Sequence, residues 1–369
     1  MTLSPKGRVT LGLAAGISSL AMGATVGVVA ASAKSQQKTS FTPSARVVGP
    51  AKKLGDTVLN VGDQAGTGAE AVLQAAGLIK STGSSTGVLK DGLKVSWADF
   101  TAGPPILQAI AGGSLDIGGV GDAPPVFADP ASKEVIVGAL KGSSNNAALL
   151  VPKNSGITSV SQLQGKSVAV GTGTSADYHF LTVVQKAGLK PSDFSVQSLT
   201  AAAGLQALES GDVAAFDTWS PWIEDAEDAG FVAIASSKAY GIPYSYQVAS
   251  AAALTNPAKV LAIRDYLTEL YKAYTWVKTH PVVWARSWAS VTGLSLNVMK
   301  SATLDDPSTP IPVTPAIVQA EQGVVNGFAS SGEIPAKYNI SPFVTDAFAG
   351  AVTGNWTTTT SQAKSKKKK

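Results

Sequence analysis

The chain writes one α/β unit twice, and that repeat restricts its fold more than any other feature. The stretch "VLNVGDQAGTGAEAVLQAAGL" (58–78) reads as a strand, a Gly/Thr loop and a helix ending in "AGL". "SVAVGTGTSADYHFLTVVQKAGL" (167–189) repeats that order. Each is followed by a strand, a Thr-Ala turn, a short helix bearing "LQA", a glycine stop and a second strand. These are "VSWADFTAGPPILQAIAGGSLDIGGVGD" (95–122) and "FSVQSLTAAAGLQALESGDVAAFDTWS" (194–220). Alternating strands and helices predict α/β units with parallel strands. Two such units in 369 residues predict two lobes. Ligands of open α/β sheets lie beyond the carboxyl ends of the strands, so both Gly/Thr loops face a common cleft.

The pattern changes after residue 243. "YSYQVASAAALT" reads as a strand returning between lobes. The helical stretch after it places Val260, Ile263, Leu267, Leu270, Tyr274 and Val277 near helical spacing. "NNAALLVPKN" (145–154) reads as the outward crossing. The first lobe is therefore expected at 56–146 plus 249–354 and the second at 147–248, with a two-strand hinge between them.

The two ends carry a different message. Lys6 and Arg8, an apolar or small-residue run from Val9 to Ala31, and "ASA" at 31–33 read as a cleaved export signal over residues 1–33, with a single retained membrane anchor as the alternative. A flexible lead-in is expected over 34–55. The lysine-rich tail, 355–369, supplies much of the net charge of +4, so the body between the ends is net acidic. A nucleic-acid partner is thus not expected. The tail reads first as a solvated terminus, and it also allows peripheral attachment to an anionic membrane or envelope. There is no cysteine, which excludes disulfides, thiolate metal sites and a lipidated cysteine anchor. His179 and His280, the two histidines, are expected to be structural rather than metal-ligating, and no cofactor is expected.

At "SWADFTAGPPILQAIAGGSLDIGGVGDAPPVFA" (96–128) the chain resembles the aliphatic sulfonate-binding proteins of ABC importers, part of the nitrate/sulfonate/taurine solute-binding family. "GTSADYHF" and "DTWSPW" stand where that family has its second-lobe ligand loops. The resemblance covers roughly residues 57–350. It implies an α/β, two-lobed periplasmic-binding-protein type 2 fold, acting as a monomer outside the cytoplasm. It further implies capture of a small organic anion and delivery to a membrane permease. Taurine, nitrate and other small ligands are alternatives on the same architecture.

"GTGTSA" (171–176) also matches a dinucleotide fingerprint, with Asp193 at a suitable distance to meet a ribose hydroxyl. The export signal and the second Gly/Thr loop argue against that reading. A sulfonate needs the same things as a pyrophosphate: small residues, backbone N–H groups and the positive end of a helix. Gly173, Thr174 and Ser175 are therefore read as an anion seat, with both hydroxyls as donors. Gly121, Asp122 and Ala123 follow the "LDIGG" strand. There the Ala123 N–H is read as facing the ligand, and Asp122 as organising the loop or meeting a substrate amine. Gln64, Gly66 and Thr67 form the first-lobe loop, with Gln64 as a neutral donor. Trp219 is read as stacking on the organic tail. Ser143, and more weakly Ser144 and Asn145, precede the first crossing.

The competing class is an enzyme on the same fold, such as a desulfinase. Enzymes of that kind rely on reactive cysteine or clustered histidine, and this chain offers neither.

Overall fold

The structure is a computed structural model, and it describes residues 54, 56–64, 68–128, 134–239, 243–305 and 307–356. The leader, nearly all of the lead-in and the lysine tail beyond Trp356 lie outside the described residues.

The first repeat runs β1 (Val58–Gln64), α1 (Ala69–Ala75), a hairpin of β2 (Ile79–Gly83) and β3 (Thr86–Leu89), β4 (Lys94–Phe100), α2 (Gly103–Ala111) and β5 (Ile117–Val120). A 3-10 turn, Pro124–Phe127, leads to β6 (Val135–Lys141) and then β7 (Ala147–Pro152). The second repeat runs β8 (Ser167–Val170), α3 (Ser175–Lys186), β9 (Ser195–Ser198), α4 (Ala201–Ser210) and β10 (Ala215–Trp219). Then come α5 (Trp222–Asp228), β11 (Phe231–Ser236) and β12 (Tyr244–Ala249). The remainder is mostly helical: α6 (Ala251–Thr255), α7 (Pro257–Val277), α8 (Pro281–Thr292), α9 (Leu296–Asp305), β13 (Thr309–Ile311), α10 (Pro315–Ser331) and α11 (Gly350–Thr353).

Two sheets result. The eight-stranded sheet has the order β13-β6-β12-β5-β1-β4-β3-β2, and the five-stranded sheet β11-β7-β10-β8-β9. Within them the repeat is visible as geometry. β1 lies between β5 and β4 and is parallel to both. β8 lies between β10 and β9 in the same manner. The central strands β6 and β7 are buried nearly throughout, as expected of apolar runs covered on both faces. Helix α7 begins with Pro257 at its first turn, and the Asn256 side chain accepts the N–H groups of Ala258 and Lys259. Its Val260, Ile263, Leu267 and Leu270 are fully buried, as their spacing predicts.

The crossings between the sheets differ from the expected positions. Residues 147–152 are already a strand of the smaller sheet, paired with β10 and β11. β12 pairs with β5 and β6 of the larger sheet, so the expected boundary at 248/249 falls inside a first-lobe strand. Both strands are apolar and flanked on both sides, so sequence pattern cannot say which sheet holds them. The crossings are the short segments on either side, 142–146 and the stretch that opens at Ser237–Ala239. Buried Ser237 ties them together: its hydroxyl accepts the Ala147 N–H at 3.0 Å, lies 3.0 Å from Asn146 Oδ1, and donates to the Ser144 carbonyl at 2.8 Å.

Each lobe has its own apolar core, and a further cluster joins them. Ala123 and Val126 of the first lobe meet Leu181 of α3 and Val324, Val325 and Phe328 of α10. No helix among the described residues is long and apolar enough to cross a membrane.

Candidate functional site

A cleft with about 210 Å³ of free volume opens between the lobes, at the carboxyl ends of β1 and β5 on one side and β8 and β10 on the other. This is where parallel α/β sheets place ligands. Gln64, Gly121, Thr174, Ser175 and Trp219 all line it, drawn together from four strand ends.

The two helix mouths facing the cleft are finished differently. At α1, the buried Asp63 carboxylate accepts the N–H of Ala69 at 2.8 Å, of Glu70 at 3.0 Å and of Gln64 at 3.1 Å. A side chain at Gly68 would collide with that carboxylate. Burial nevertheless pushes Asp63 up to about 7, because three N–H groups only partly replace lost hydration. At α3, Gly173 takes φ +72°, which suits glycine, and its N–H donates to Asp177 Oδ2 at 2.7 Å. The N–H groups of Ser175 and Ala176 then open the helix with no acceptor inside it. Asp177 is raised to about 7 by burial, with Glu333 and Asp217 adding to the rise.

Ser175 reaches across the cleft to the first lobe. Its hydroxyl hydrogen-bonds the Asp122 carboxylate, and its Oγ packs so tightly on Gly121 that no side chain fits there. Asp122 is raised to about 6 by burial, which the Ser175 hydroxyl and nearby backbone N–H groups oppose. Its Oδ1 is buried without a partner.

Several expected roles change. The Thr174 hydroxyl donates to the Gly171 carbonyl at 2.6 Å and the Ser175 hydroxyl to Asp122, so neither aims its hydrogen at the cleft. Both nearby acceptors are strong and fixed, which decides the orientation. Gln64 Nε2 donates one hydrogen to the Gly119 carbonyl at 3.1 Å, leaving its second for the cleft. Gly173 has its N–H taken by Asp177 and does not line the cleft. Asp122 and Ala123 lie behind the lining; Ala123 is fully buried at the start of the Pro124–Phe127 turn. Ser143 instead accepts the Asn145 N–H at 3.0 Å within the crossing, and neither lines the cleft. Gly66 and Thr67 lie outside the described residues. Asp193 caps the Lys190 N–H at 2.9 Å, an ordinary turn contact.

The structure also adds residues. Asn146, Tyr244, Tyr246 and Gln247 come from the crossings and β12, and Trp284 and Trp288 from α8. A glutamine inside the buried strand "YSYQVA" was the one visible sign, since a buried polar side chain in an apolar strand needs a reason. His179 has a buried acidic partner after all: its Nδ1 lies 2.8 Å from Asp217, which sits 38 residues away on β10. The pair links α3 to the sheet of its own lobe. Among the described residues no three His, Cys, Asp or Glu side chains converge to hold a metal ion.

Two α/β lobes with a ligand-sized cleft at their strand ends define a two-lobed binding protein of the periplasmic type 2 class. The family model of the periplasmic substrate-binding proteins of phosphonate ABC transporters matches residues 100–289, and the chain belongs to this family. A protein of Escherichia coli (strain K12) named for binding aliphatic sulfonates is 37% identical over 134 residues, which span 36% of this chain and 42% of that one. One from Bacillus subtilis (strain 168) with the same name is 25% identical over 265 residues, 70% of this chain and 78% of that one. The alkanesulfonate-binding protein SsuA from Xanthomonas axonopodis pv. citri, solved bound to MOPS, superposes with a TM-score of 0.70. It is 25% identical, over 78% of this chain and 98% of that chain.

Proposed function

We propose that the protein is the exported substrate-binding component of an ABC importer, and that it closes on an alkanesulfonate-like anion and delivers it to a membrane permease. The observation that carries this reading is the α3 mouth. There, N–H groups at the positive end of a twelve-residue helix face a cleft that also holds the Gln64 amide and the Trp219 indole. The sulfonate-binding relatives support the choice of anion. Trp219 and the aromatic side chains of β12 and α8 suit an organic tail. The protein binds without turnover, since the chain holds no cysteine nucleophile, and it acts as a monomer. The leader is removed after Ala33, and the mature body works outside the cytoplasm.

Titration calorimetry with ethanesulfonate tests this. Stoichiometric binding with the ligand recovered intact is expected. Saturating ligand at about 100 Kd should add about 2.7 kcal/mol to folding stability. Nitrate, with no tail, should stabilise less. Absence of any sulfonate effect on affinity or melting would remove the proposal. The intact mass of protein from envelope fractions should begin at Lys34; a species retaining Met1 would refute cleavage.

A further inference from the structure

We infer that this cleft selects for a single negative charge: it takes a sulfonate, or a phosphonate carrying one charge, and rejects the phosphonate dianion. The inference rests on the sulfonate reading above and adds what the site excludes. It bears directly on a family whose model is described for phosphonate.

Three observations carry it. First, the lining holds no Lys, Arg or His among the described residues; its one charged side chain is Asp63. Second, carboxylates back the walls. Asp122 stands behind Ser175, and Asp177 lies behind the Thr174–Ser175 turn. Glu224 on α5 accepts the Ser220 hydroxyl at 3.0 Å, and Ser220 lines the cleft. Glu321 on α10 is fully buried beside Asp122, and burial holds its carboxyl well above the usual carboxylate range, and it offers no compensating positive charge. His179, on α3, is already paired with Asp217.

Third, four of the lining hydroxyls are turned the wrong way for a highly charged anion. Thr174, Ser175, Ser220 and Thr303 each donate to a protein acceptor, so each presents oxygen lone pairs to the cleft. Asp63 aside, the other polar groups on the lining are neutral: backbone N–H groups, the amides of Gln64, Asn146 and Gln247, the remaining hydroxyls and the indoles. A helix mouth offers about half an elementary charge. That balances much of one negative charge and little of a second. The second charge would also meet the surrounding carboxylates in a cleft where water screens them poorly. A P–OH group, by contrast, could donate to one of the outward-facing oxygens.

The experiment compares ethanesulfonate, ethylphosphonate and the monomethyl ester of ethylphosphonate by calorimetry at about pH 5 and about pH 9.5, well below and well above the second ionisation of an alkylphosphonate. The sulfonate keeps one charge at both values, so its trend reports the titration of Asp63, Asp122, Asp177, Glu224 and Glu321. Dividing by that trend isolates the ligand. Ethylphosphonate should bind at the lower pH. Above its second ionisation its relative affinity should fall about tenfold per pH unit, while the ester, fixed at one charge, keeps its affinity. The Glu224→Gln variant still accepts from Ser220 and should narrow the gap at about pH 9.5 by about three- to tenfold. Ethylphosphonate binding at about pH 9.5 as tightly as its ester would overturn the inference and leave the sulfonate reading standing. Failure of the sulfonate at both pH values would instead bring down that reading, and this inference with it.

Discussion

The two repeats share a topology and differ at the mouths of their first helices. In both, the first strand lies between two parallel neighbours and a helix leaves its carboxyl end. In the first unit the positive end of α1 is already neutralised by Asp63 from the same lobe. In the second, the α3 mouth keeps its leading N–H groups, and Ser175 reaches to the opposite lobe. One mouth is finished within its own lobe and the other only when the lobes meet. On our proposal the first governs stability, and the second governs closure and affinity.

Paired glycine substitutions break this contrast most sharply. Gly121→Val inserts methyl groups against Ser175 across the cleft. Overpacking of this kind costs about 1–3 kcal/mol, here charged against closure, so sulfonate affinity should fall about 10- to 100-fold. The ligand-free melting temperature should hardly move, since the lobes can part. Gly68→Ala pushes on the Asp63 carboxylate inside one lobe. It should lower the ligand-free melting temperature by several degrees with a smaller change in affinity. Calorimetry and thermal melting on both variants check the pattern; reversed effects would refute the division of roles.

The pH dependence of stability comes next in size. Asp63 and Glu224 are raised to about 7 and Asp177 to about 7, all chiefly by burial. A carboxyl with a folded pKa above its unfolded value binds its proton more tightly when folded. Its contribution is fully present below about pH 4 and is lost as pH rises through about 7. Ligand-free protein should therefore melt at a higher temperature at about pH 5 than at about pH 8. Asp63→Asn should flatten part of that slope while weakening the α1 cap by about 1 kcal/mol. A melting temperature that rises from about pH 5 to about pH 8 would contradict the burial of these groups.

Much of this was legible in the sequence, for identifiable reasons. The repeat was readable because periodicity, "AGL" endings and glycine stops are local signals, and Gly211, which ends α4 at φ +78°, is one of them. Gln64, Gly121, Thr174, Ser175 and Trp219 were found because strand ends can be located without knowing the fold. The hydroxyl directions were not readable, since Ser175 answers to Asp122, more than fifty residues earlier and in the other lobe. The His179–Asp217 pair was hidden for the same reason. Tyr244, Gln247, Trp284 and Trp288 reach the cleft only through the return of β12 into the larger sheet and the packing of α8.

The smallest expected effect belongs to the hydroxyl that joins the two halves. Ser175→Asp would set a second carboxylate against Asp122 and confound ligand repulsion with lobe repulsion. Ser175→Ala is the cleaner probe. It removes one hydrogen bond to Asp122 and leaves the N–H groups of the helix mouth in place. When the lobes separate, Asp122 regains water, so the net loss is that of a single exchanged hydrogen bond, about 1 kcal/mol. Sulfonate affinity should fall about fivefold. The ligand-free melting temperature should stay within about a degree of wild type, because the bond forms between lobes rather than within one. An equal loss of stability with and without sulfonate would show that Ser175 supports its own lobe, and the contrast between the two helix mouths would no longer hold.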